Sequence, residues 1–181
     1  SSQARQEADS ISQGRALQPD RLVPFVCLIA YPTDSLNDNQ LLYDVAHFNF
    51  TGFMVRNFDM TFARDREITQ LRIAGFRNYD EAHAYAQRLI AVPSLSQQLQ
   101  HARIVIISQA NLELLGTAYS FDEYKAFYDK TFAPLQINPS LPIDTEDNQI
   151  EQRYEDEYTP EELERLKNGS TTEDGGDDEG W

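Results

Sequence analysis

The sequence predicts an α+β domain between two polar flanks, and three observations carry that reading. Short apolar runs closed off by prolines or polar residues mark buried strands. Amphipathic stretches behind cap residues mark helices. The two kinds follow one another as β-α-β-β-α-β before a further helix, which is the split βαβ, ferredoxin-like order of an antiparallel sheet with helices on one face. In that arrangement the first and last strands, both nearly all apolar, are expected at the most buried, central positions.

Phe25 to Tyr31 is the first strand, a continuous apolar run lying between Pro24 and Pro32. Pro32 to Ser35 is a turn able to cap a helix. Leu36 to Phe48 then carries Leu41, Leu42, Val45 and Phe48 at helical spacing, and Asn49 to Gly52 closes it. Phe53 to Ala63 reads as a strand with Phe53 and Val55 on one side and Phe58, Met60 and Phe62 on the other, Arg56 sharing the second side. Asp65-Arg66 is placed to turn a hairpin into Ile68–Phe76, where a slip in the alternation predicts a bulge.

Asn78 is a good N-cap, Glu81 completes a capping box, and Ala82, Tyr85, Ala86, Leu89 and Ile90 form the apolar face of the helix that follows. Pro93-Ser94 ends it and opens a short second helix through Leu99. Ile104 to Ile107 is the fourth strand. Ser108 or Asn111 starts a helical stretch, and Ser120 with Glu123 forms a capping box for a final helix, Phe121 to Phe132, with Tyr124, Phe127, Tyr128 and Phe132 on one side.

Domain organisation follows from the distribution of charge. The 181 residues carry a net charge of −15, but positions 1–21 balance, positions 22–143 sum to −3 and positions 144–181 sum to −12. Residues 1–21 read as a polar linker, 22–135 as the α+β interaction domain, and 136–181 as an acidic, mostly disordered tail. Near residues 160–168 the tail holds a compact helix signal: Thr159 as cap, Pro160 at the first turn, Glu162, then Leu163 and Leu166 before Asn168-Gly169. So much acid, with no broad basic face, excludes nucleic acid as the partner of the whole molecule, since phosphate contacts need clustered Lys and Arg. No apolar run approaches the roughly 18–20 residues of a membrane span. The chain begins at Ser1-Ser2 and reads as a fragment or mature product from which any targeting signal has been cut.

Chemical motifs are sparse. His47, His83 and His101 lie on or near different helices without ligand spacing, so no metal is expected. Cys27 sits in the middle of an apolar strand and reads as a buried, inert thiol. Gly52, Gly75 and Gly116 are isolated, with no phosphate-binding pattern, and no nucleophile motif occurs. The expectation is a non-enzyme without a cofactor. The local basic region is the hairpin, where Arg56, Arg64, Arg66, Arg72 and Arg77 stand against Asp59, Asp65 and Glu67. With Phe58, Phe62 and Phe76 beside them, Arg56, Arg64 and Arg72 form the candidate interaction surface for an anionic partner. The plain alternative is a twisted hairpin with cross-strand ion pairs.

The stretches PFVCLIAYP, DVAHFNFTGFMVRNFDMTF, ITQLRIAGFRNYDEAHAYAQRL, ARIVIISQANLELL and FDEYKAFYDKTF, between Pro24 and Ala133, resemble the C-terminal domain of the Bacteroidota tetratricopeptide-repeat lipoproteins linked to gliding motility and type IX secretion. The resemblance implies a non-catalytic assembly domain on the periplasmic side of the cell envelope. It also implies an upstream lipidated region anchored in the outer membrane, and other envelope or secretion-machinery proteins as partners. It carries over no active-site residue. The acidic extension after Pro134 departs from that pattern. A second resemblance, in the order of elements alone, is to SPOR-type domains, and it implies a peptidoglycan or glycan strand lying across the sheet over Phe58, Phe62, Arg56 and Arg72.

Overall fold

A computed structural model describes residues 16–53, 55–138, 141–143 and 161. The chain divides into two units, Ser1–Ile143 and Asp144–Trp181. Of the expected tail helix only Glu161 is described, and it is helical; Leu163 and Leu166 lie outside the described residues, as does the linker before residue 16.

The first unit is a mixed α+β fold on a four-stranded antiparallel sheet. Its elements are β1 (Phe25–Pro32), α1 (Asp38–Gly52), β2 (Asp59–Arg64), β3 (Ile68–Phe76), α2 (Tyr79–Ile90), α3 (Pro93–Gln98), β4 (Arg103–Ser108), α4 (Gln109–Leu112) and α5 (Phe121–Thr131). In space the strands run β2-β3-β1-β4. The centre is therefore β1 and β3, and β4 lies at an edge, contrary to the expectation that the two apolar strands share the middle.

β1 is apolar throughout because both of its faces are covered. Phe25, Cys27, Ile29 and Tyr31 face a core built with Leu41 and Val45 of α1, Ala82, Tyr85 and Leu89 of α2, and Leu95 of α3. Val26 and Leu28 face the other way, into a smaller core with Val105, Ile107 and Tyr124, against which Leu17, Leu112, Leu115 and Phe121 pack. Helices thus cover both faces of the β1–β4 half, not one face of the whole sheet.

The edge at β4 is partly covered. Gln109 N–H donates to Pro24 O at 3.0 Å, which sets the alternation along the β1–β4 ladder and turns the backbone of Ile104 and Ile106 away from β1. The outward carbonyl of Ile106 accepts from the Tyr124 hydroxyl at 2.7 Å. An edge strand covered in this way can be apolar without becoming a template for pairing.

Caps set the helix limits. Asn37 caps α1, accepting from Gln40 N–H at 3.0 Å, so the helix starts two residues later than Leu36 and runs on to Gly52. Ser120 and Glu123 form the reciprocal box expected for α5. Asn78 caps α2 as expected, but the Glu81 carboxylate passes the N-cap amide and accepts from Arg77 N–H at 2.7 Å.

The hairpin turn is held by Asp65, whose carboxylate accepts from the amides of Glu67 and Ile68 at 2.8 and 2.7 Å. The strand pairs regularly through Ile68–Leu71, where the slip in the alternation placed a bulge; the bulge falls instead at Gly75, left unpaired where the β1–β3 register shifts beside Phe25. Its φ of 121° suits glycine, and a Cβ there would meet Phe58 Cδ1 at 3.3 Å.

Candidate functional site

The expected strand over Phe53–Ala63 begins only at Asp59. The residues before it form a connection whose aromatic rings turn inward. Phe53 and Phe58 join Phe48, Phe76 and Tyr85 in one cluster, with ring centroids 4.7–5.7 Å apart. Phe53 and Phe58, expected on opposite faces of a strand, thus pack into one core.

This divides the expected interaction surface. Phe58 and Phe76 are core residues, and the Arg56 side chain is 5% exposed. Arg56 is held in the interior because Glu81, wholly buried, takes its Nη1 at 3.1 Å, while Nη1 also donates to Ile143 O at 3.0 Å and Nη2 to Gly75 O. The Arg77 guanidinium approaches the same carboxylate at 3.0 Å. Two arginines on one buried carboxylate form an internal brace, and none of Arg56, Phe58 and Phe76 offers a face to a partner. Phe62 is half-buried against the main core, with the Arg64 guanidinium over its ring at 4.1 Å. Arg64 is tied to Asp38 at 2.9 Å, and the Tyr31 hydroxyl with the Arg64 guanidinium holds the Asp38 carboxyl below its usual range. Arg72 alone of the six lies on the second sheet face, level with Thr61 and Leu28 and donating to Gln70 at 3.1 Å.

A groove of about 360 Å³ runs between α2 and α5 over β4, lined by His83, Ile90, Arg103, Ile104, Phe121 and Tyr124 among others. Its hydroxyls are committed, Tyr124 to Ile106 O and Tyr128 to Tyr79 at 2.7 Å. Burial lowers the pKa of His83, partly offset by Asp80. Among the described residues no group of three or more His, Cys, Asp or Glu is placed to hold a metal ion. Burial pushes the Cys27 thiol up to about 12, so it stays protonated and unreactive. No helix among the described residues is long and apolar enough to cross a membrane.

The surface that sequence reading missed is the outer face of α1. Tyr43 and Phe50 are 66% and 77% exposed, and His47 stacks on Tyr43 with ring centroids 6.3 Å apart. Positions 43, 47 and 50 fall at i, i+4 and i+7, one stripe of a helix. The signal was present, but it lies opposite the inward stripe of Leu41, Val45 and Asn49, and a reading tuned to one apolar face per helix passes over a second.

No protein-family model, curated protein or solved structure matches the chain.

Proposed function

We propose that the domain is a non-catalytic protein-docking module and that the outer stripe of α1 is its working surface. The observation that carries this is the exposure of Tyr43 and Phe50 on one helix face beside His47. Aromatic side chains left in water on a rigid helix are anchors for a partner's pocket. Burying one such ring is worth about 1.5–3 kcal/mol. The strand order β2-β3-β1-β4 supports the split-βαβ, ferredoxin-like assignment. The pattern resemblance to the C-terminal domain of the gliding and type IX secretion lipoproteins supports a place in assembling cell-envelope machinery on the periplasmic side.

The test is a photo-crosslinking residue replacing Phe50 in the full chain in its native cell. The reading expects a discrete protein adduct that disappears when Tyr43→Ala is added, and none from a crosslinker at the exposed Glu113. An adduct indifferent to Tyr43→Ala, or none, would overturn it.

A second reading rests on the half of the sheet's second face left open at β2 and β3, where Thr61 is exposed and Gln70 and Arg72 are half-buried. That strip offers the hydrogen-bonding groups a glycan strand needs. It carries no aromatic ring among the described residues, because Phe62 points to the helix side, and this weakens sugar stacking. Co-sedimentation with purified sacculi that is lost in Arg72→Ala would favour it.

A further inference from the structure

The two edges of the sheet are treated differently. At β4 the outward carbonyl of Ile106 is capped by Tyr124. At β2 the outward groups are Met60, Phe62 and Arg64. This follows from Asp65 N–H donating to Ile68 O at 3.0 Å, which turns Asp59, Thr61 and Ala63 toward β3 and the residues between them outward. Among the described residues no strand pairs with that edge, and no hydrogen bond reaches the outward backbone of Met60 or Phe62. The middle of the edge, Met60-Thr61-Phe62-Ala63, carries no charge, proline or bulge, the devices that keep an open edge from pairing.

We propose that β2 is the interface of a symmetric dimer, in which it pairs antiparallel with β2 of a second copy about Thr61. This goes beyond the docking role of α1 and does not depend on it. The edge complements itself when centred on Thr61, which lets both outward residues pair. With the two-fold axis through Thr61, Met60 stands opposite the partner's Phe62, and both present outward backbone, so the pair exchanges N–H···O bonds in both directions. The half-buried side chains of Met60 and Phe62 lie on the same sheet face and meet across the axis, an aromatic–aliphatic cross-strand pair on each side. On the opposite face Thr61 meets the partner's Thr61 and Asp59 meets the partner's Ala63, with no like charges opposed. Moving the axis to Phe62 would set Asp59 against the partner's Asp65, a like-charge pair that disfavours that register. Positions 22–143 carry a net −3, so two copies of the domain repel only weakly.

Sedimentation equilibrium of the full chain, with two cysteine variants, tests this. Thr61 is exposed, and Cys27, buried with 0% exposure, does not compete for oxidation. Opposite residues at a non-hydrogen-bonded position approach to a Cα separation of about 4.5 Å, within the roughly 4.4–6.8 Å that a disulfide accepts. The expected result is a species of twice the chain mass at high micromolar concentration, reduced to the monomer mass by Thr61→Lys. On mild oxidation Thr61→Cys should give a covalent dimer and Ala63→Cys should not. Circular dichroism on each variant separates loss of pairing from loss of fold. A monomer at every concentration, a dimer that Thr61→Lys leaves intact, or equal cross-linking at both positions would overturn the proposal. Pairing of β2 with a strand of a different protein would show as the first of these, with the α1 adduct unaffected.

Discussion

Glu81 lies at the third position of α2, where a carboxylate ordinarily reaches back to the N-cap amide. Here it goes one residue further and gathers Arg77 and the buried Arg56 guanidinium. Glu81→Ala would leave the Arg56 charge inside without its counter-ion, a change that costs about 3–5 kcal/mol. Urea unfolding should show a midpoint shift of that size, far more than loss of a helix cap. His83 offers a pH test. Burial holds its imidazole below the ordinary value of 6.5, so below pH 6.5 the unfolded chain binds a proton that the folded chain resists. Stability is therefore full above 6.5 and falls as pH drops through the folded pKa. His83→Gln should remove that part of the slope in urea midpoints taken between pH 7.5 and 5, and a slope unchanged in the variant would refute the assignment.

At the scale of elements, helix starts and buried strands were largely legible. Cap residues announce themselves locally, and β1 and β4 are short runs ended by proline or polar residues. Ser120→Ala should cost about 1 kcal/mol, the usual worth of an N-cap hydroxyl, read as a lowered unfolding midpoint. What did not read correctly needed tertiary information. The aromatic-rich run holding Phe53 and Phe58 reads as β-prone, but both rings pack on Tyr85, which is distant in sequence. β4 looks central because Tyr124 and the start of α5 dry an edge strand. Arg56 looks like a surface cation because its partner lies 25 positions on. The candidate site was legible only in part: Arg64 and Arg72 were found where they can meet solvent, while the α1 stripe was hidden by the apolar face behind it.

For the whole molecule, charge and fold separate at the same place. Packing continues past Leu135 to Ile143, which is wholly buried and held by Arg56, and the second unit begins at Asp144. The segment from there on carries a net −12 of the −15. Deleting residues 144–181 should move the isoelectric point sharply upward, as isoelectric focusing would read. Under the two proposals, the near-neutral domain that remains has two surfaces with different work, the α1 stripe for another protein and the β2 edge for its own kind. A photo-crosslinker scanned through Tyr43, Phe50, Thr61 and Arg72 in the full chain addresses both. The account predicts adducts with another protein from Tyr43 and Phe50, and an adduct of the chain with itself from Thr61. Foreign-protein adducts from Arg72 alone, with Tyr43 and Phe50 silent, would contradict it.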